Sequence, residues 1–255
     1  MIALVTGASS GIGRDMARYL NDLGYDLIIT ARNKEKLEEL KKELNQKNDR
    51  NVDIIVKDLS KTEECKVLYR QVKETYKNID ILINNAGFGL CGRFVETDLE
   101  TELDMIDTNV KAIHILTKLF LKDMVEKNQG RILNVSSIAG FMPGPLMATY
   151  YGTKNYVLRM SQAIREELNR DKSKVKISVL CPGPVNTNFN QVANVRFALK
   201  GLTSEYVAKY AIDKMLKNKA VITVGLKIKI ARALSKISPD TIVAKVCYHM
   251  QRRKL

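Results

Sequence analysis

Histidine, cysteine and tryptophan are scarce in this chain of 255 residues, which has two histidines, four cysteines and no tryptophan. His114 and His249 stand far apart, so we expect neither a metal site built on histidine nor a Ser-His-Asp triad. The four cysteines are scattered without C-x-x-C spacing, which argues against a structural zinc site. This cysteine usage predicts a reduced, cytoplasmic protein without a bound metal.

Long apolar segments are also missing. The apolar run after Met1 ends at Thr6 and has no cationic stretch before it, so we expect no signal peptide. The longest uncharged stretch begins at Ile132 and continues beyond Tyr151, but glycines and prolines interrupt it. We therefore predict no membrane-spanning helix.

Acidic residues are few relative to basic ones, 28 against 42, and the formal net charge is +14. The imbalance is concentrated at the C-terminal end. From Gly225 to Leu255 eight basic residues stand against one acid, Asp240, a net charge of +7. This segment has one aromatic residue, Tyr248, and no recognisable nucleic-acid module, so we do not expect nucleic-acid binding.

Short apolar strands alternate with helical patterns through residue 224. The predicted strands are 2–5, 27–30, 52–56, 79–83, 132–135, 175–180 and 220–224. Alternation of this kind predicts an α/β fold with a Rossmann-like, doubly wound parallel sheet of about seven strands and helices on both faces. No linker or repeat divides the chain, so we treat residues 1–255 as a single domain.

A glycine-rich turn follows the first strand and leads into a helix. Its sequence is Thr6-Gly-Ala-Ser-Ser-Gly-Ile-Gly13. Glycines allow a backbone to approach a pyrophosphate closely, and the helix N-terminus offers oriented N–H groups. In this strand–turn–helix setting the pattern predicts a dinucleotide site, the alternative being a turn that binds nothing.

The second strand ends without an acid. Sheets that bind NAD usually place a carboxylate there to hold the ribose hydroxyls, whereas this chain has Thr30-Ala31-Arg32. Arg32 could bind a 2′-phosphate through charge-assisted hydrogen bonds, which favours NADP(H) as the cofactor. The alternative is a solvated arginine at the entrance of a helix.

Tyr150 and Lys154 are four residues apart in a helical segment, so their side chains share one face. A nearby ammonium is expected to lower the phenol pKa from about 10, which would give a proton carrier closer to working pH. Ser137, at the end of the fifth strand, could hydrogen-bond the same substrate oxygen. The spacing alone is also compatible with an ordinary solvated pair.

Together these residues resemble the short-chain dehydrogenase/reductase family, in its group with TGxxxGxG, NNAG and YxxxK motifs, over about residues 1–224. The resemblance implies a catalytic tetrad of Asn109, Ser137, Tyr150 and Lys154. The step of thirteen residues from Ser137 to Tyr150 is usual in the family and selects Ser137 over Ser136. The cofactor residues that it implies are Thr6, Gly7, Ser9, Ser10, Gly11, Ile12, Gly13, Arg32, Asp58, Leu59, Asn85, Ala86, Gly87, Tyr150, Lys154, Pro182, Gly183, Val185 and Thr187.

One departure concerns the cofactor. Many family members that prefer NADP have a basic residue where Ser10 stands, so here Arg32 would act with serine hydroxyls. The implied reaction transfers hydride from NADPH to a carbonyl carbon, with Tyr150 as proton donor and Ser137 bound to the oxygen. Lys154 would lower the tyrosine pKa and hold the nicotinamide ribose, and Asn109 would anchor a water that reaches Lys154.

Two other functions remain compatible with the sequence, an alcohol or hydroxysteroid-like dehydrogenase working oxidatively and a nucleotide sensor without catalysis. The complete tetrad argues against the sensor. The family usually pairs subunits through the helices around Asn109 and Tyr150, so a homodimer or homotetramer is expected.

The expected substrate is a small hydrophobic carbonyl compound, held at its oxygen by Ser137 and Tyr150. Residues expected in an apolar pocket, or merely in the core, are Phe88, Leu90, Met142, Leu146, Met147 and Phe189. Residues 185–202 have the length and position of the family's substrate lid.

Residues 226–255 are predicted to form a basic, amphipathic helical extension. The apolar positions of a first helix are Leu226, Ile230, Ala233, Leu234 and Ile237. A second helix is predicted to begin at Ser238-Pro239, with the apolar stripe Ile242, Val243, Val246, Cys247 and Met250. Both stripes could pack on the domain or on a partner subunit, or the extension could make peripheral contact with an anionic membrane.

Overall fold

A computed structural model describes residues 1–187 and 201–252 of the chain. Within these residues seven parallel strands form one sheet. They are β1 (Ile2–Thr6), β2 (Asp26–Ala31), β3 (Val52–Val56), β4 (Ile81–Asn84), β5 (Arg131–Val135), β6 (Lys176–Cys181) and β9 (Val221–Thr223). Two further strands, β7 (Val185–Asn186) and β8 (Leu202–Thr203), pair with each other in parallel. The predicted α/β fold is confirmed.

Helices cover both faces of the sheet. In chain order they are α1 (Gly11–Asp22), α2 (Lys34–Lys47), α3 (Thr62–Tyr76), α4 (Leu99–Ile106), α5 (Ile113–Glu126), α6 (Ala148–Arg170), α7 (Ser204–Leu216), α8 (Leu226–Ile237) and α9 (Asp240–Arg252). Apolar residues of α1, α2 and α7 form the core on one face, and those of α3 and α5 form the core on the other. Buried strands between two helical layers explain the nearly continuous apolar runs in the sequence.

The strand order is β3-β2-β1-β4-β5-β6-β9. The order reverses between β1 and β4, which lie side by side with Val5 opposite Ile83. In open parallel sheets a crevice forms at the carboxyl ends of the strands at such a reversal, and ligands bind there. The glycine turn after β1 and the Asn85-Ala86-Gly87 turn after β4 therefore meet at one edge of the sheet.

The long helical segment between β4 and β5 is not uniform. It starts at Leu99, because the Asp98 carboxylate accepts a hydrogen bond from the Thr101 N–H at 2.8 Å and caps the first turn. A π-helical turn, Asp107–Ala112, separates α4 from α5 and contains Asn109. Such turns are often found at functional sites, and no periodicity in the sequence indicated this one.

The C-terminal extension forms two helices, as predicted, but the second begins later than expected. The second helix begins at Asp240, and the Pro239 carbonyl accepts a hydrogen bond from the Ile242 N–H at 3.0 Å, so Pro239 stands before the helix. The predicted apolar stripe of α8, which includes Leu226 and Ile237, is largely open to solvent. None of the helices in the described parts of the chain is both long and apolar enough to cross a bilayer.

The pairing of β7 with β8 brackets the segment predicted to be a substrate lid. Val185 lies opposite Leu202 and Asn186 opposite Thr203, so the two ends of residues 185–202 are joined. Phe189, predicted to contact the substrate, lies outside the described residues. The lid itself stays a prediction.

Candidate active site

A cavity of about 770 Å³ opens at the carboxyl ends of the strands. Turns after β1, β2, β3, β4, β5 and β6 line one side, and α8 and α9 line the other. Of the residues predicted to bind a cofactor, most line this cavity. Those that do are Gly7, Ser9, Ser10, Gly11, Ile12, Arg32, Asp58, Leu59, Asn85, Ala86, Gly87, Tyr150, Lys154, Pro182, Gly183, Val185 and Thr187. The remaining two, Thr6 and Gly13, are buried beneath the residues that line the cavity.

Thr6 joins the turn after β1 to the turn after β4. Its hydroxyl oxygen accepts hydrogen bonds from the N–H groups of Asn85 at 2.9 Å and Ala86 at 3.0 Å. The Asn85 amide in return donates to the carbonyl oxygens of Thr6 at 3.0 Å and Gly7 at 3.2 Å. These four bonds hold the two turns at a fixed separation.

Two glycines are required for this close approach. Gly7 has φ +65°, a left-handed conformation that residues with a Cβ rarely adopt. At Gly13 a Cβ would lie 2.2 Å from the Asn85 side-chain nitrogen and 2.4 Å from the Gly7 carbonyl oxygen, which leaves no space for a side chain. The backbone next to Ser10 and Gly11 is thus bare at the N-terminus of α1, the surface that a pyrophosphate needs. The site fits a dinucleotide in this respect.

Two cations lie where β2 and β3 end. Arg32 is exposed and lines the cavity, and Lys57 lines it next to Asp58. The Lys57 ammonium also lies 3.3 Å from a carboxylate oxygen of Glu64. Asp58 is the one acid among the described residues of the cavity wall, and its carboxylate already accepts hydrogen bonds from the N–H and hydroxyl of Ser60. This end of the cavity is therefore suited to a phosphate.

Ser137 and Tyr150 meet in the cavity wall, where their side chains form a hydrogen bond. Ser137 follows β5, and Tyr150 lies in the first turn of α6. Ser136 points elsewhere, because its hydroxyl donates to the Lys154 carbonyl oxygen at 2.7 Å. The geometry therefore supports the choice of Ser137 over Ser136.

Lys154 is buried, and its ammonium donates to the Val135 carbonyl oxygen at 3.1 Å. The ammonium nitrogen is 5.8 Å from the centre of the Tyr150 ring. Asn109 does not line the cavity. Its side chain accepts a hydrogen bond from the Phe88 N–H at 3.0 Å and donates to the Thr153 hydroxyl at 3.1 Å, which ties the π-helical turn to α6.

The expected lowering of the Tyr150 pKa by Lys154 is not what the structure shows. Burial raises the Tyr150 pKa to about 12, and the hydrogen bond with Ser137 opposes this only in part. Burial also lowers the pKa of Lys154 to about 8, since removing an ammonium from water favours its neutral form. At neutral pH Tyr150 therefore keeps its proton.

Comparison with known proteins gives the same picture. A sequence profile described as short chain dehydrogenase matches residues 1–196. The chain belongs to the short-chain dehydrogenase/reductase family. It is an oxidoreductase of this family, as the sequence predicted. An uncharacterized oxidoreductase from Staphylococcus aureus is 33% identical over 193 residues, which cover 76% of this chain and 81% of the relative.

Solved structures of the family share the fold. A short-chain dehydrogenase from Sphingobium yanoikuyae in complex with NADPH superposes with a TM-score of 0.82 at 27% identity, covering 93% of this chain and 96% of the other. A short-chain dehydrogenase/reductase from Burkholderia phymatum in complex with NAD gives a TM-score of 0.83 at 22% identity, covering 91% and 92%. The second likeness concerns the fold alone.

Only some of the residues predicted for an apolar pocket line the cavity. Phe88, Met142 and Met147 line the cavity of this family member, but Leu90 and Leu146 do not. Leu146 has a left-handed backbone with φ 65°, and its carbonyl oxygen accepts a hydrogen bond from the Gly92 N–H at 2.8 Å. Its place in the chain suggested a pocket residue, but the turn uses its backbone instead.

Sequence reasoning missed the wall formed by α8 and α9. Ile228 packs on Gly183 so closely that a Cβ at Gly183 would lie 2.4 Å from the Ile228 Cδ1. On α9 the buried Gln251 amide donates to the Tyr151 hydroxyl, while its Oε1 has no hydrogen-bond partner among the described residues.

Proposed function

We propose that the protein is an NADPH-dependent reductase that converts a hydrophobic ketone or 3-oxoacyl compound to an alcohol. One observation supports this most directly. In a largely apolar cavity a protonated Tyr150 is hydrogen-bonded to Ser137, so two hydroxyl groups are available to one carbonyl oxygen. Carbonyl reduction needs a proton donor at that oxygen.

Each residue of the site has a distinct task in this proposal. A reduced nicotinamide, when bound, supplies the hydride. Tyr150 donates its proton to the carbonyl oxygen, and Ser137 stabilises the negative charge that develops there. Lys154, buried in the cavity wall beside the tyrosine, holds the ribose of the nicotinamide nucleotide. Asn109 holds the turn before Phe88 against α6 and so positions the wall.

The choice of NADPH over NADH rests on the end of β2. Arg32 is exposed there, Lys57 follows the neighbouring strand β3, and β2 ends without a carboxylate. A carboxylate would accept hydrogen bonds from ribose hydroxyls but would repel a 2′-phosphate. Two cations attract the phosphate, and the relative from Sphingobium yanoikuyae was solved with NADPH.

Replacing Arg32 with alanine is expected to weaken NADPH binding by roughly ten- to a hundredfold, since a hydrogen bond to a charged group contributes about 1.5–3 kcal/mol. NADH affinity should change little. Titration of cofactor fluorescence measures both constants. Arg93→Ala is a suitable control, because Arg93 is exposed and pairs with Glu96 outside the cavity. Equal losses for the two cofactors would show that Arg32 does not recognise the phosphate.

The activity itself is tested with purified protein and a panel of ketones and 3-oxoacyl thioesters, with NADPH and NADH in parallel. We expect oxidation of NADPH with at least one hydrophobic member of the panel. The corresponding alcohols with NADP⁺ test the oxidative direction. Tight NADPH binding without turnover of any carbonyl or alcohol would instead favour a nucleotide sensor.

We also propose that the protein forms a homodimer or a homotetramer through α5 and α6. On their outer faces the His114 ring and the Tyr156 hydroxyl lie 2.7 Å apart, and Tyr156 and Val125 are exposed. Light scattering at micromolar concentration should give at least twice the monomer mass of 28.8 kDa. A monomer under these conditions would contradict the assembly.

A further inference from the structure

Helix α8 has apolar residues on two opposite faces. Ile228 and Ala231 face the cavity. The other apolar face is largely open to solvent and is formed by Leu226, Ile230, Leu234 and Ile237, which are between 51% and 80% exposed. We call these four residues the outer stripe. Monomeric proteins rarely expose a continuous apolar strip of this kind unless another surface covers it.

Helix α9 continues this apolar surface to the cavity. Ile242, Val246 and Met250 follow one another at helical spacing, and each is a little more than half exposed. The same three residues line the cavity, as does Leu234 of the outer stripe. The mouth of the cavity therefore has an apolar rim that is continuous with the exposed face of α8.

The charge around this surface is positive and unbalanced. Lys229, Lys245 and Arg252 are exposed on the same two helices. Asp240 is the one acid from Gly225 to Leu255, against eight basic residues. Among the side chains that the structure describes, no ion pair includes Lys229, Arg232, Lys245 or Arg252.

We propose that α8 and α9 dock on the surface of an anionic lipid bilayer, with the outer stripe and the cavity rim against the acyl chains. Paired basic and apolar faces are what interfacial helices present to such membranes. A second copy of the chain is a poorer occupant, because a two-fold contact would place this positively charged segment against itself.

Docking in this orientation brings the cavity mouth to the membrane. The carbonyl substrate is then a lipid that passes from the bilayer across Leu234, Val246 and Met250 to Tyr150, without entering water. This statement about the substrate depends on the proposed reductase function. The docking does not, since it is a property of the outer surface.

Co-sedimentation with vesicles tests the docking directly. Full-length protein should pellet with mixed phosphatidylcholine and phosphatidylserine vesicles at low salt, and remain in the supernatant with phosphatidylcholine alone. High salt should release part of it, because the charges are screened. Lys229→Gln with Lys245→Gln should weaken binding about 30-fold, at ~1 kcal/mol per lysine and ~1.4 kcal/mol per factor of ten.

Matched controls separate this surface from overall charge. Lys172→Gln with Lys174→Gln removes the same charge from exposed lysines before β6, at the opposite edge of the sheet, and should bind within twofold of wild type. Ile230→Glu with Ile237→Glu should abolish pelleting, while thermal unfolding shows an intact fold. No pelleting of the wild type at low salt, or equal losses in the control, would overturn the docking.

A second measurement separates docking from catalysis. If a ketone is turned over, the Lys229→Gln, Lys245→Gln variant should reduce a water-soluble ketone normally and a vesicle-embedded long-chain ketone more slowly. If the variant reduced both ketones at the wild-type rate, the proposal of a lipid substrate would be overturned. Vesicle binding by a protein without any turnover would leave the docking intact and contradict the reductase proposal. If wild-type protein does not bind vesicles and Ile230→Glu lowers the mass of the assembly in light scattering, the docking is overturned and the outer stripe is a subunit interface.

Discussion

Replacing Tyr150 with phenylalanine is expected to lower kcat for carbonyl reduction at least a hundredfold. A positioned general acid contributes roughly 10²–10⁴-fold, and this substitution removes only the hydroxyl that carries the proton. The ring stays in the first turn of α6, against the ring of Tyr151 at a centroid distance of 6.1 Å. NADPH affinity should therefore stay close to that of wild type.

The measurement compares single-turnover reduction with cofactor binding in the same preparation. Tyr206→Phe is the control, because Tyr206 is exposed on α7, outside the cavity and away from α5 and α6. The control should retain normal turnover. If Tyr150→Phe turned over at a rate near that of wild type, the proton would have to come from another group, and the acid role would pass to Ser137 or water.

The sheet and its ligand-binding edge could be predicted from the sequence because both depend on local patterns. Buried parallel strands need short apolar runs, and the close approach of two turns needs glycine at Gly7 and Gly13. The spacing of Tyr150 and Lys154 gives one helical face without knowledge of the fold. The sequence therefore predicts most reliably those site residues whose positions depend on local backbone geometry.

What the sequence did not show depends on distant contacts. The outer stripe of α8 has the same spacing as a packing face, and only the position of Ile228 against Gly183 reveals which side rests on the protein. In the sequence Lys57 is only a charged residue after a strand. The pairing of β2 with β3 brings it to the same part of the cavity wall as Arg32. These roles depend on which residues are neighbours in the folded protein, and helical periodicity in the sequence carries no information about such neighbours.

The pKa of Tyr150 shows the same limit for electrostatics. Four-residue spacing predicted that an ammonium would lower it, but the direction depends on how deeply both groups are buried. In the structure burial raises the Tyr150 pKa to about 12 and lowers that of Lys154 to about 8. Burial favours the neutral form of both Tyr150 and Lys154, so a charge on either side chain lowers the stability of the folded protein.

That cost predicts a stability change at Lys154. In the unfolded chain lysine has its ordinary pKa of 10.5, whereas in the folded protein burial lowers it to about 8. Below pH 8 both states bind the proton and the folded state bears the full penalty. Between these values only the unfolded state binds it, so stability rises with pH. Lys154→Met, which removes the charge, should therefore abolish turnover and yet stabilise the protein at pH 7.

Urea unfolding of the cofactor-free protein at pH 7 and pH 9 measures this difference. The advantage of Lys154→Met over wild type should shrink by about 1 kcal/mol across that interval, because the folded wild type loses its buried charge there while the unfolded chain keeps it. Lys172→Met, at an exposed lysine, should show no such pH-dependent difference. A constant gap between Lys154→Met and wild type from pH 7 to pH 9 would mean that Lys154 keeps its proton throughout. The ammonium would then be stabilised in the folded protein by more than the Val135 carbonyl oxygen 3.1 Å away.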